Sequence, residues 1–439
     1  MMEWYWALSL MVGGLLALMA TGLPVAFAFF GVNIIGAILF MRGDPGLFQF
    51  VRSMVDGVQS FSLLPIPLFI LMGEVMFHTG IAGRAIEAMD RLISRVPGRL
   101  SILAILGGTV FSSLSGSTIA NTAMLGSTLL PEMLKRGYKP AIAIGPIVAV
   151  GGIAMLIPPS ALAVLFGSVA RIPIAELLIA SIVPALILAA LYFFYVILRC
   201  TLDPSLAPSY PVEKLSGRDR WWPFVRDVVP LMGIFLVVVG SIISGIATPT
   251  ESAALGVLAT LIAAAAYRAL SVEGLKKALK ETLTFSTLTL FVVAGSLTFS
   301  QILAFSGATR GLSELILSAD LAPYMVLLGM LGLTLLLGCF IDQVSMILLT
   351  VPLYLPLVSS LGFDPVWFGV LMLLVLEISL ATPPFGLLLF VMLGAAPKGI
   401  TLGQIVTSVL PFLAMSLMVL GLLIVFPGIA LWLPGMIQQ

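Results

Sequence analysis

The sequence predicts an all-α polytopic membrane protein: an inverted repeat of two six-element halves, with ten crossings and two re-entrant hairpins. Three observations carry this. Of 439 residues, 60% are hydrophobic and 9% charged, with mean hydropathy +1.18; water-soluble domains do not have that composition. Apolar runs alternate with positive clusters, which face the cytoplasm in membrane proteins. Finally, one broken, polar pattern occurs twice in the same order. The first copy reads Ser115-Gly116-Ser117-Thr118-Ile119-Ala120-Asn121, then Pro131, then Leu156-Ile157-Pro158-Pro159-Ser160. The second reads Gly338-Cys339-Phe340-Ile341-Asp342-Gln343, then Pro352, Glu377 and Ala381-Thr382-Pro383-Pro384-Phe385-Gly386. Asn121 to Pro131 and Asp342 to Pro352 each span ten residues.

In chain order, Trp4–Ala20 and Pro24–Met41 read as spans joined at Thr21-Gly22-Leu23. With no basic leader or cleavage motif before it, the first run is expected to remain a span. Arg42–Ser60 reads as a mixed loop and Phe61–Phe77 as a third span. Arg84, Arg91, Arg95 and Arg99 precede the apolar stretch Leu100–Leu134, and Lys135, Arg136 and Lys139 follow it. Positive charge at both ends puts both on the cytoplasmic side. Each limb has about 15 residues, short of the ~20 a spanning helix needs, so the stretch reads as a hairpin. Ala141–Ala170 is one helix broken at Pro158-Pro159. Ile174–Leu198 returns to the basic Arg199, Lys214, Arg218, Arg220 and Arg226.

The second half starts from the opposite side. Val228–Ile246 goes out and Ser252–Tyr267 returns to Arg268, Lys276, Lys277 and Lys280. Val272–Leu283 reads as a short surface helix, separate from a span at Thr284–Phe305. Leu321–Val358 is a hairpin from outside, broken at Asp342, with Arg310 its only basic flank against Glu314, Asp320 and Asp364. Val366–Ala396 is the second broken helix, and Gln404–Leu433 ends the chain.

A broken helix exposes N–H groups at one new end and C=O groups at the other. The first suit a carboxylate, the second a cation. Paired breaks in corresponding positions of two halves point to a transporter binding site. Oxygen donors cluster there, at Ser112, Ser115, Ser117, Thr118, Asn121 and Ser160, and at Asp342, Gln343, Ser345 and Thr382. They suit a hard cation; no His or Cys cluster suits a transition metal. An acid at mid-membrane costs about 2.5–3.5 kcal/mol on insertion scales. Asp342 therefore reads as a Na⁺ ligand, proton carrier, substrate contact or structural acid. Glu377 reads as a site residue or a helix–helix contact, Glu74 as structural, Glu251 as a helix cap, and His78 as an interfacial side chain.

No basic tract suggests nucleic acid, and Cys200 and Cys339 do not suggest a disulfide. Ser115-Gly116-Ser117 invites a serine-protease reading, but a nucleophilic serine needs a general base. His78, the single histidine, sits at a membrane edge. No HExxH or phosphate-binding loop is present.

The chain resembles the large membrane subunit of tripartite ATP-independent periplasmic (TRAP) transporters, the DctM-like family. The resemblance rests on Phe111-Ser112-Ser113-Leu114-Ser115-Gly116-Ser117, Pro131-Glu132-Met133 with Arg136-Gly137-Tyr138, and Leu156-Ile157-Pro158-Pro159-Ser160. In the second half it rests on Thr248-Pro249-Thr250-Glu251, Gly338–Asp342, and Glu377-Ile378 with Thr382-Pro383-Pro384. It implies Na⁺-driven import of an organic acid (a dicarboxylate, sialic acid or other sugar acid) across a bacterial or archaeal inner membrane. It also implies a separate small DctQ-like membrane subunit, a periplasmic DctP-like binding protein and no organic cofactor. It implies an elevator-type fold: scaffold spans in 1–99, moving elements in 100–170, scaffold and cytoplasmic connection in 171–305, moving elements in 306–396 and a last scaffold span in 397–439. Ser115, Ser117, Asn121, Ser160, Asp342 and Thr382 sit where Na⁺ ligands are expected. Gly116, Thr118, Pro159, Gln343, Ser345, Glu377 and Pro383 sit where substrate contacts are expected. The alternatives are a stand-alone Na⁺/carboxylate symporter without a binding protein, and a passive channel, which uphill uptake would exclude.

Overall fold

The computed structural model describes residues 3–41, 43–92, 96–208 and 217–437, with backbone alone for Ser113, Leu114, Ser115 and Ile437. Arg42, Arg95 and Lys214 lie outside the described residues. Among the described residues there are helices and no strand. Among the described residues seven helices are long and apolar enough to cross a membrane, from Phe61–His78 to Leu402–Val425. Large apolar side chains such as Ile34, Leu236, Ile262 and Leu288 face outward, a surface that calls for lipid rather than water.

The two halves share a main series of elements, to which the first adds the helix Asp44–Val58 and the second adds Gly428–Ile437. Two apolar helices come first: Trp4–Ala20 with Val25–Phe40, then Gly217–Ile243 with Pro249–Ala266. A third follows, Pro65–His78 or Val272–Phe305, and then a short amphipathic helix, Ile81–Leu92 or Ala308–Ser318. Next comes a helical hairpin, Arg99–Ser115 with Thr118–Lys135, or Pro323–Gly338 with Gln343–Ser360. A broken helix follows, Pro140–Gly151 with Ala161–Ala170, or Pro365–Leu380 with Leu387–Ala395. A long apolar helix closes each half, Ile174–Leu202 or Leu402–Val425.

Several elements differ from the sequence reading. Arg42–Ser60 is not a loop: Asp44–Val58 is a helix. It buries Phe50, Ser53 and Gly57 and turns Phe48, Val51 and Val55 outward, the pattern of a helix lying at a membrane surface. Val272–Phe305 is one continuous helix of 34 residues, not a surface helix followed by a span. It contains no proline, so no backbone donor is lost along it. The basic connection at Arg84 and Arg91 is itself the helix Ile81–Leu92, and buried Arg99 pairs with Asp90 at 2.7 Å. The last run divides at Pro427, which ends Leu402–Val425 before Gly428–Ile437.

The helices pack in two groups. Val272–Phe305 lies against Val25–Phe40, Asp44–Val58 and Pro65–His78. Pro140–Gly151 lies against both limbs of the first hairpin and against Leu402–Val425. Ile174–Leu202 also packs on Leu402–Val425 and Pro365–Leu380. The hairpins cross the broken helices at glycines. A Cβ at Gly151 would collide with the Thr122 hydroxyl, and one at Gly338 with the Ser379 hydroxyl.

Prolines inside helices free a carbonyl one turn earlier. In lipid that carbonyl needs another donor. Pro146 frees the Ile142 carbonyl, and the Ser101 hydroxyl donates to it at 2.6 Å. Pro352 frees the Leu348 carbonyl, and the Ser296 hydroxyl donates to it at 2.7 Å.

Candidate ion and substrate site

The first hairpin turns at Gly116, whose φ of +59° is left-handed and open to glycine without a steric cost. Ser117 then caps Thr118–Lys135: its Oγ accepts from the Ala120 N–H at 3.3 Å. In the second hairpin Asp342 does the same. Its Oδ1 accepts from the Ser345 N–H at 3.1 Å, and its Oδ2 accepts from the Ser345 hydroxyl. Ser117 and Asp342 therefore hold the same position, the cap of an 18-residue helix.

This corrects the register read from sequence. Asn121 is not the counterpart of Asp342, and Pro131 pairs with Pro356 rather than Pro352. Each of these prolines lies 14 residues after its cap, and Pro131 to Pro158 and Pro356 to Pro383 both span 27 residues. The cap is the better anchor because it fixes where the helix begins.

Glu377 lies at the meeting point. It is 2% exposed. Its Oε1 accepts from the Thr118 hydroxyl at 2.8 Å and from the Met155 N–H at 3.0 Å. Thr118 belongs to the first hairpin tip and Met155 to the break in the first broken helix. The Gln343 amide of the second tip also lies beside this carboxylate, and its Nε2 is 3.7 Å from Met155 Sδ. One acid thus joins both hairpin tips and both broken helices.

The remaining candidates divide by surroundings. Ser160 is buried and caps Ala161–Ala170, accepting from the Ala163 N–H at 3.2 Å. Gly116 faces the backbone of Pro159 and Ala161, so the first tip rests on this break. Asn121 is fully buried; its Nδ2 donates to the Gly108 carbonyl at 3.3 Å and to Ser112 Oγ. The Thr382 hydroxyl donates to its own helix, at Ile378 O, 2.7 Å. The Pro383 carbonyl faces Cys339 Sγ at 3.8 Å. The Ser115 side chain lies outside the described residues. Asp342 is exposed, while Gln343 and Ser345 are buried.

A cavity of about 150 Å³ opens beside the tips, lined by Ser117, Thr118, Asp342, Gln343 and, from the other packing group, Glu74 and Phe285. Glu74 is therefore close to the site, which sequence reasoning missed. His78 is not a free interfacial side chain: its Nε2 lies 3.5 Å from Glu74 and 3.1 Å from Glu281. The i, i+4 spacing of Glu74 and His78 was a legible signal for that pair; Glu281 was not. Glu251 lies in a capping box with Thr248, as its spacing predicts.

A Na⁺ ion takes oxygen ligands, and a buried oxygen that accepts no hydrogen bond has its lone pairs free for one. Three buried oxygens here make no hydrogen bond: Asn121 Oδ1, Thr122 Oγ1 and Glu377 Oε2. The residues present fit a hard cation.

The chain matches the family "Tripartite ATP-independent periplasmic transporter, DctM component" over residues 12–429. It belongs to the DctM family. Among DctM-type relatives, it is 31% identical to the C4-dicarboxylate TRAP transporter large permease protein DctM of Rhodobacter capsulatus, covering 97% of this chain and 98% of that one. It is also 31% identical to the sialic acid TRAP transporter large permease protein SiaM of Vibrio cholerae, covering 96% and 97%. The fold of this DctM-family chain is similar to that of the Alcanivorax borkumensis YdaH transporter. The TM-score is 0.67 at 15% identity, over 92% of this chain and 98% of that one. Membership in DctM makes the protein a permease component of a TRAP transporter.

Proposed function

We propose that this chain is the large permease subunit of a Na⁺-coupled, binding-protein-dependent importer of an organic acid. The observation that carries the reading is the convergence of both hairpin tips and both broken helices on Glu377. The organic-acid class is supported by the C4-dicarboxylate and sialic acid relatives. Ser117, Thr118, Asn121, Ser160 and Glu377 supply oxygens on one side; Asp342, Gln343 and Ser345 supply them on the other. Ser115, Thr382 and Pro383 remain candidates on sequence position.

The partners are a small subunit that sits with this chain in the inner membrane and a binding protein in the periplasm. Reconstituted alone into liposomes, the chain should take up no radiolabelled succinate or sialic acid under an inward Na⁺ gradient. Adding both partners should start uptake. Robust uptake by the chain alone would favour the symporter without a binding protein.

The proposed mechanism is an elevator on an inverted repeat, with ten crossings and two re-entrant hairpins. The packing supports a moving unit wider than 100–170 and 306–396. It takes in Ile174–Leu202, which lies against Arg99–Ser115 and both broken helices, and Leu402–Val425, which lies against both broken helices. In this orientation Ser60 and Arg171 face outward, and Arg99 and Lys135 face the cytoplasm. Single cysteines near Arg99 and Lys135, placed in a background lacking Cys200 and Cys339, should both label from the cytoplasm. Cysteines near Asp320 and Ser360 should label from the periplasm. Labelling of the Arg99 and Lys135 positions from different sides would rule out the hairpin.

A further inference from the structure

The cavity beside the hairpin tips, at about 150 Å³, is smaller than the ~300–1,000 Å³ typical of small-molecule sites. A second cavity is not. It measures about 570 Å³ and lies between Asp44–Val58, the Ser60–Leu63 segment, Val272–Phe305 and the end of Ala161–Ala170. A third space of about 280 Å³ adjoins it and reaches Pro352 and Pro356 of the second hairpin. The two share Val169, Arg171, Leu297 and Gln301. Neither contains a residue predicted from the sequence as part of the site.

Arg171 stands where these spaces meet. It follows Ala161–Ala170 in the left-handed conformation, with φ +55°. Glycine is the usual residue there, and an L side chain costs on the order of 1–3 kcal/mol. Among the described residues Arg171 forms no ion pair. Its charge is favoured by the carbonyl end of the helix and remains available to an anion.

The surrounding wall donates. Gln301 Oε1 accepts from the Ser53 hydroxyl at 2.5 Å, which leaves the Gln301 amide N–H groups to face outward from that bond. Ser60, Ser62 and Ser168 add hydroxyls beside apolar Leu63 and Ile172. Asp56 is the one carboxylate among the lining residues, exposed and 3.9 Å from Arg52.

We propose that this space is an anteroom for the transported acid, in which Arg171 receives a carboxylate before the acid reaches the hairpin tips. The site takes an organic carboxylate small enough for about 570 Å³. This rests on the organic-acid reading above. It places the first contact on the chain's own outer face, where both packing groups supply the wall. A shift of one group against the other therefore changes the distance between Arg171 and Gln301.

The test uses Ser168→Cys in a protein lacking Cys200 and Cys339, with Arg171 intact. Millimolar succinate or sialic acid should slow maleimide labelling of this cysteine about threefold or more, as expected when most sites are filled. Adding Arg171→Gln should remove the protection. In the complete three-component transporter, Arg171→Gln should lower uptake about tenfold or more, the worth of one charge-assisted bidentate contact. Arg171→Lys should restore part of it. The Na⁺ concentration for half-maximal uptake should not move. Arg171→Gly, which suits the left-handed backbone, separates loss of the side chain from misfolding and should be stable and slow.

Three results would overturn the proposal: no protection by either acid, protection unchanged by Arg171→Gln, or wild-type uptake by Arg171→Gly. Loss of uptake matched by an equal loss of binding-protein docking would also overturn it, making Arg171 a docking residue. If wild-type protein transports neither acid in any arrangement, the functional reading fails instead. The labelling result is independent of that outcome.

Discussion

Glu377→Ala should abolish Na⁺-driven uptake and destabilise the protein by about 2–5 kcal/mol, because it leaves buried donors unpaired and a hole behind. Those donors are the Thr118 hydroxyl and the Met155 N–H. Glu377→Gln separates the two effects. Its amide oxygen still accepts from both, so folding should survive. Its NH₂ group replaces Oε2, the oxygen with no hydrogen bond. A donor there opposes a cation. The Na⁺ concentration for half-maximal uptake should rise about tenfold or more, equivalent to about 1.4 kcal/mol. Thermal unfolding in detergent and Na⁺ titration of uptake measure the two effects. A Gln variant with the wild-type Na⁺ profile would reduce Glu377 to a structural contact between the hairpins.

Asp342→Asn should act on coupling alone. Asparagine caps a helix about as well as aspartate; the Ser345 N–H keeps its acceptor, the Ser345 hydroxyl turns to accept from the new NH₂ group, and stability should change by less than about 1 kcal/mol. The negative charge facing the tip cavity is lost. Uptake at low Na⁺ should then fall several-fold more than uptake at saturating Na⁺. Substrate affinity of the binding protein, a separate chain, should not change. A proton-carrying Asp342 gives a different result: Na⁺ dependence persists and pH dependence disappears. A variant with both profiles intact would leave Asp342 as a cap only. Asn121→Ala removes a neutral oxygen and should weaken Na⁺ dependence less.

What the sequence made legible was whatever breaks a helix in lipid. Gly116, Asp342 and the two Pro-Pro pairs each interrupt an apolar run, and the chain turns or breaks at those places. The amphipathic spacing of Phe50, Ser53 and Gly57 was present but was masked by the charges around it. Val272–Phe305 carried a signal of continuity, since neither proline nor a turn sequence divides it, but the charges of its first third led to a reading as two elements. The contact between Thr118 and Glu377 was not. It joins residues 259 positions apart, and no local propensity encodes which face of one helix meets another. The same holds for Arg171, whose role rests on the space around it rather than on its neighbours in sequence.

Two of the proline-freed carbonyls, those of Ile142 and Leu348, have a consequence for biosynthesis. Ser101 precedes Ile142 by 41 residues, and Ser296 precedes Leu348 by 52. In both cases the hydroxyl leaves the ribosome before the carbonyl it will serve. An uncompensated carbonyl in hydrocarbon costs several kcal/mol. Each proline-bearing helix thus emerges toward a donor already made, and the direction of translation itself shortens the time that carbonyl spends without a partner.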